Sequence, residues 1–315
     1  MKFTKFFLFS ILFTSICTAQ DIVQLKNVSD TILNPKRVLR VSDPLDAVKT
    51  MEKLFPGKLY HLSDHNTFAS WKCKICKPTA FIDVNGEEGD QLFPYTGGVA
   101  TRLLTNIDYS DSKGNQFRLL FFNHSVYDED GLQTSRFSGG LIGVAKFAKN
   151  NTAWEMKFFQ PAIAAFGSFA QSPSPKLIQI GEDQYAVTLI HANGGAGGPY
   201  SGFLYLIAGL DGKYQSILEA SDYQLTNSQS TAWSSSYTVV NDNTKKFFRD
   251  IVITTKGSYR KALPDDEFEV ELPAEMAEMA KTKKQFDFVL EKRYVFKGKS
   301  YKLSGKPIVK YSSVK

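Results

Sequence analysis

From residue 91 onward the chain alternates apolar and polar positions with a period of two, the signature of half-buried β-strands. Val99, Thr101, Leu103, Thr105, Ile107 and Tyr109 fall on one side, and Ala100, Arg102, Leu104, Asn106 and Asp108 on the other. The polar run Ser110-Asp111-Ser112-Lys113-Gly114-Asn115 then turns the chain into 117–122, which is apolar on both sides and predicts a central strand. Turn chemistry recurs at Lys149-Asn150-Asn151-Thr152, Gly181-Glu182-Asp183, Asp211-Gly212-Lys213, Asn241-Asp242-Asn243 and Lys297-Gly298-Lys299. Each turn lies between runs rich in Phe, Tyr, Val, Ile, Leu and Thr. The predicted fold class is therefore mainly β: an antiparallel hairpin meander, propeller-like or a sandwich, with two short helices.

The first helix is expected at 44–54, with Asp43 as N-cap, Pro44 at the first helical position, and Leu45, Val48, Met51 and Leu54 on one face. Pro56-Gly57 stops it. The second is expected at 273–285. Pro273 suits the first turn, and Glu275 and Glu278 come early while Lys281, Lys283 and Lys284 come late, the order that complements a helix dipole. The acids running from Asp265 through Glu271 to Glu278 read as a solvated face.

The N-terminus has a different pattern. Lys2 and Lys5 precede an apolar run from Phe6 to Ile16 that is too short to span a bilayer, and Cys17-Thr18-Ala19 precedes polar Gln20. This is the layout of a secretory signal cleaved after Ala19. Three regions follow: a signal peptide at 1–19, a lead-in with the short helix and a cysteine pair at 20–90, and a β-rich domain at 91–315. No later stretch is apolar enough for a membrane span, so a periplasmic or secreted protein is expected. The formal charge of +6 falls by two with the signal's lysines, too mild to point to nucleic acid. Two cysteines are too few for a disulfide framework, so a hydrophobic core must hold the fold; 25 Phe and 14 Tyr can supply one.

Candidate chemistry is sparse. Cys73-Lys-Ile-Cys76 suits a small-loop disulfide in an oxidising compartment. His61 and His65 precede the pair, so His61, His65, Cys73 and Cys76 also make a possible tetrahedral zinc set, with Asp64 to orient a ligand. Trp71 and Lys77-Pro78 give the pair a superficial likeness to a thioredoxin redox site, without the βαβ context, and free thiols are a further option. A glycine-rich loop after a strand at 185–190 offers His191, Asn193, Gly194, Gly195 and Tyr200 as ligand-binding residues, because glycines let backbone N–H groups approach an anion or sugar. It is neither a P-loop nor an oxyanion hole, since no Gly-Lys-Ser/Thr and no Gly-x-Ser-x-Gly is present. Asp128-Glu129-Asp130-Gly131 is explained as well by a hairpin turn as by calcium.

No nucleophile or acid/base constellation stands out, so no catalytic residue is assigned and no cofactor is expected apart from the zinc option. The leading expectation is a non-catalytic binding module for a peptide, glycan or partner protein. The alternative is a hydrolase or zinc-dependent enzyme using His61, His65 and His191.

Two stretches carry resemblances. The segment 241–253, Asn-Asp-Asn-Thr-Lys-Lys-Phe-Phe-Arg-Asp-Ile-Val-Ile, resembles a degraded FG-GAP-type propeller segment. Such segments bind calcium through spaced aspartates; Asn243 and Lys245 stand at those positions here, and a lysine ammonium cannot ligate calcium. Cys73-x-x-Cys76, Gly143-Val-Ala-Lys-Phe147, Trp154, Phe166-Gly-Ser-Phe169 and Leu177-Ile-Gln-Ile-Gly181 with Tyr185-Ala186 resemble a pattern in uncharacterised exported bacterial proteins. That resemblance implies an exported globular protein and no particular mechanism.

Overall fold

The computed structural model describes residues 25–63, 66–86, 89–127, 136–194, 199–225, 231–241, 244–261 and 270–312. The expected signal peptide at 1–19, Asp64, His65, residues 128–131, Gly195 and Asn243 lie outside the described residues.

The first half supplies β1 (Lys26–Asn27), β2 (Arg40–Ser42), helix α1 (Ala47–Leu54), β3 (Lys58–Ser63) and β4 (Asn66–Lys72). A short pair follows, β5 (Thr79–Phe81) and β6 (Gln91–Phe93). Then come β7 (Val99–Ser110), β8 (Gln116–Val126), β9 (Gly140–Asn150), β10 (Ala153–Gln160) and β11 (Ala165–Phe166). The second half supplies β12 (Lys176–Gly181), β13 (Gln184–Gly194), β14 (Tyr200–Leu210), β15 (Lys213–Leu225) and β16 (Ala232–Val239). It ends with β17 (Ile251–Arg260), helix α2 (Ala277–Thr282), β18 (Gln285–Lys297), β19 (Ser300–Leu303) and β20 (Ile308–Ser312).

These strands build two nine-stranded sheets among the described residues. The first runs β1-β4-β7-β8-β9-β10-β2, with β3 beside β4 and β11 beside β9; the second runs β12 through β19 in sequence order, with β20 beside β18. The predicted antiparallel meander is what forms. The strand at 117–122 is central, as its two-sided apolar pattern requires. Leu120 and Phe122 join the cluster on the outer face of the first sheet, while Leu119 and Phe121 join the cluster between the sheets. There they pack with Ile142, Val144, Val187, Leu189, Tyr205 and Ile207. Burial of so many large side chains, each worth about 1.5–3 kcal/mol, is the main force joining the two sheets.

The pattern at 99–109 is followed only in part. Leu103 pairs with Phe122 but Thr105 pairs with Phe121, so a bulge at Leu104 shifts the phase. Val99 and Leu103 therefore face the outer cluster, and Leu104, Ile107 and Tyr109 face the inter-sheet cluster.

Five of the six predicted turns, the one at 110–115 included, fall where turn chemistry puts them. Asp211 and Gly212 show why: both have positive φ, 52° and 76°, the values a tight hairpin turn needs. The Asn241 connection is longer, running from the end of β16 to Ile251. Within it the buried Asp250 carboxylate is gripped by Lys245 and by Arg293 Nε at 2.8 Å.

The first helix starts later than predicted. Asp46 is its N-cap, accepting from Lys49 N at 3.0 Å, whereas Asp43 accepts from the Trp154 indole at 2.8 Å. Val48, placed on the apolar face by a step of three, is 37% exposed. Thr50, Met51 and Leu54 are the buried stripe, because steps of three alone drift around a 3.6-residue turn. Arg37 ties off the other end, donating to the carbonyls of Lys53 and Leu54. The second helix is a single 3₁₀ turn, Ala274–Met276, running into α2 and ending at Thr282 rather than at 285. No helix among the described residues is long and apolar enough to cross a membrane.

Candidate active site

Cys73 and Cys76 are joined to each other at 2.04 Å. Their sulfurs are thus no longer thiolates, the form that holds zinc. His61 turns its Nδ1 to Thr67 Oγ1 at 2.6 Å. No group of three or more metal-ligating side chains gathers among the described residues. The tetrahedral set of His61, His65, Cys73 and Cys76 is therefore not assembled by the residues described.

The glycine-rich loop is shorter than predicted, because β13 continues through Gly194 and pairs it with Tyr200 at the start of β14. His191 and Asn193 are strand residues. His191 is buried and its Nδ1 accepts from Gly167 N at 2.9 Å. Burial lowers its pKa, opposed by the nearby charge of Asp83, so the ring is held neutral. Asn193 donates to Asn85 Oδ1 at 2.8 Å, and Asn85 donates to Gly167 O at 2.6 Å. Asp83, buried, accepts from Gln91 Nε2 at 2.6 Å and Gly139 N at 2.9 Å. These groups form a polar seam that ties the two sheets together. Its members satisfy one another rather than facing a ligand.

A different place has the character of a site. The ladder between β15 and β16 closes only at Tyr223↔Ser234 and Gln224↔Trp233. Beyond that point a cavity of about 460 Å³ opens over the second sheet, of a size that holds a small ligand. β15 lines it with Glu219 and Gln224, β18 with Lys292 and Tyr294, and the segment before α2 with Glu271. Tyr223 and Trp233 are aromatic walls.

Local bonds fix this lining. The Trp233 indole donates to the Glu271 carbonyl at 2.9 Å, holding the segment that carries Glu271 against the sheet. Lys292 Nζ lies 2.8 Å from Glu275 Oε1, while Glu275 Oε2 is buried with no hydrogen-bond partner among the described residues. The Tyr205 hydroxyl is pushed well above its ordinary range, first by burial and then by the charge and hydrogen bond of Glu219. The Tyr205 hydroxyl thus lies near the Glu219 side chain. Glu219 also borders a second cavity of about 700 Å³, shared with Asp83 and Tyr214. Asp222 is skipped in the register between Gly202↔Tyr223 and Phe203↔Ser221, which marks a bulge, and burial raises its carboxyl.

The cavity thus gathers two aromatic residues, Tyr223 and Trp233, with two acidic residues, Glu219 and Glu271, and one basic residue, Lys292. Residues 10–272 match the family described as Levansucrase/Invertase, and the chain belongs to that family. No curated protein and no solved structure matches it.

This membership overturns three expectations. The chain is not assigned to an uncharacterised exported family, and the 241–253 segment does not make it an FG-GAP protein: the family match runs through that segment. Nor is a non-catalytic binding module sustained, since the family is one of enzymes. The sequence reading missed Glu219, whose position in β15 looks like any outward residue of an alternating strand. It also passed over Glu271, submerged in an acidic run. The one available signal was Trp233, an indole that needs a polar partner when buried.

Proposed function

We propose that the chain cleaves or transfers a glycosidic bond, and that the cavity edged by Glu219 and Glu271 is where it does so. What carries the reading is the presence of two carboxylates and two aromatic walls on one small cavity, in a chain of the levansucrase/invertase family. Glycoside chemistry uses two carboxyl groups flanking the scissile bond. One protonates the leaving oxygen, and the other attacks the anomeric carbon or draws a proton from the attacking water. Trp233 and Tyr223 offer faces on which the apolar side of a sugar ring rests.

The test is sugar release from sucrose by the exported protein and by its Glu219→Gln and Glu271→Gln variants. Each amide keeps the shape of the side chain and removes its proton chemistry. Each is expected to lower kcat by at least about a hundredfold, the scale of a lost general acid or base, with an unchanged β-type circular dichroism spectrum. Full activity in both variants would move the chemistry elsewhere in the molecule.

A further inference from the structure

Cys73-Lys74-Ile75-Cys76 has no part in the cavity edged by Glu219 and Glu271. Its bond closes a loop of two residues, which restrains little chain entropy, so stability alone is a weak reason for it. The two cysteines are placed differently. Cys73 packs against the core cluster that holds Trp71 and Phe93, and its Sγ accepts from Cys76 N at 3.1 Å. Cys76 lines a cavity of about 450 Å³ together with Ile75, Phe81, Phe93, Pro94 and Pro161, and Cys73 is not among the walls. Lys74 N donates to Asn27 Oδ1 at 3.3 Å, which pins the loop to β1. The side chains of Lys74 and Lys77 are exposed, and Lys77 lies on the cavity.

We propose that this disulfide is a redox site that takes electrons from a dithiol of an apolar peptide segment seated in that cavity. The structure holds the oxidised pair, so the pair is the oxidant. A thiolate of the peptide attacks Cys76 Sγ. The new sulfur–sulfur bond forms as the Cys73–Cys76 bond breaks, and the electron pair leaves on Cys73 Sγ. The Cys76 N–H that already donates to that sulfur stabilises the charge it gains. The peptide's second thiolate then attacks the peptide sulfur of the mixed disulfide and releases Cys76. The peptide gives up two electrons and two protons and becomes a disulfide; Cys73 and Cys76 receive them and become thiols. The surroundings choose the partner. Lys74 and Lys77 outnumber Asp30 around the cavity and draw an anionic thiolate. Ile75, 68% exposed at the same place, offers apolar surface to the side chains beside it.

The test uses the full chain carrying Cys17→Ser, so that Cys73 and Cys76 are the cysteines present. The oxidised protein is mixed with a reduced synthetic peptide holding Cys-x-x-Cys between leucines. One peptide disulfide should form per protein molecule, at least about tenfold faster than with an equal concentration of oxidised glutathione. The same peptide flanked by serines should react about threefold more slowly. Single variants then separate the two sulfurs. Cys76 in Cys73→Ser should take up glutathione from its disulfide at least about tenfold faster than Cys73 does in Cys76→Ser, read by intact mass.

Peptide oxidation no faster than by glutathione would overturn the proposal and leave a structural bond. Equal uptake by the two single variants would overturn Cys76 as the attacked sulfur, and equal rates with the two peptides would overturn the apolar partner. Lys74→Gln/Lys77→Gln keeps the disulfide and so decides the matter even where a cysteine variant fails to fold. It should slow the peptide reaction about threefold at low salt and not at high salt, with the parent's melting temperature; an unchanged rate at low salt would refute the steering of the thiolate.

Discussion

His124 is the most sharply testable group in the core. It is fully buried, with Phe55 and Phe93 ring centroids each 4.9 Å away. Trp71 Nε1 donates to Thr101 Oγ1 at 2.8 Å, Thr101 Oγ1 lies 2.8 Å from His124 Nδ1, and His124 Nε2 lies 2.9 Å from Pro161 O. The carbonyl can only accept, so Nε2 carries the proton and Nδ1 receives the threonine hydroxyl's. That chain is complete with a neutral ring. Burial lowers the pKa from 6.5 to about 3, against the opposing pull of the Pro161 carbonyl. Between those values the unfolded imidazole binds a proton that the folded one refuses, so stability falls as pH falls through that window. At about 1.36 kcal/mol per unit, the loss is about 2 kcal/mol at pH 5 and on the order of 5 kcal/mol by pH 3. That is a large share of a typical 5–15 kcal/mol total. Urea unfolding at pH 7.5, 6 and 5 measures it, with His124→Gln as the non-titrating reference. The variant is less stable at pH 7.5, and its deficit should shrink by about 2 kcal/mol at pH 5. A deficit constant to within about 0.5 kcal/mol across the three values would show that His124 titrates normally and that the neutral-ring account is wrong.

Other outcomes follow from other parts of the fold. Replacing Cys73 and Cys76 together by serine should cost no more than about 2 kcal/mol, because a two-residue loop restrains little chain entropy; thermal melts of the parent and the double variant check this. The loop at 167–172 holds Phe169 and Ala170 at φ 53°, a region that non-glycine residues avoid. Asn123 secures it, donating to Ala170 O at 2.9 Å and accepting from Ser172 N at 2.8 Å. Asn123→Ala should therefore cost about 2–3 kcal/mol in urea unfolding, and local hydrogen exchange in 167–172 should rise with it. We propose maturation at Gln20, read from the intact mass of exported material; retention of residues 1–19 would refute it.

Much of the architecture is written in local periodicity. The two-sided strand at 117–122, the alternating strands around it and the turns at Asp211-Gly212 and Lys297-Gly298 all specify themselves through nearest neighbours. What escapes such reading is anything decided across the sheet. The bulge at Leu104 moves Ile107 and Tyr109 to the opposite face, yet nothing in the run 99–109 marks it, because Leu103 and Leu104 are both apolar and either phase satisfies the pattern. Helix α1 begins three residues after its predicted start for a related reason: Asp43-Pro44 and Asp46 both suit an N-cap, and the Trp154 indole and the Lys149 ammonium, far along the chain, claim Asp43. Cys73-Cys76 was legible as a pair, but its choice of partner over the histidines depends on which groups fold brings close.

The cavity was illegible for a stronger reason. It exists because β15 and β16 pair at two positions and then part, and because Asp222 is squeezed out of the β14–β15 register. Glu219 and Glu271 stand more than fifty positions apart and meet at one cavity only through that departure. His191 and Asn193, residue types that carry chemistry in many motifs, instead close the seam between the sheets. A sequence that obeys its local rules everywhere folds without advertising a site; the places that break them are where function is stored.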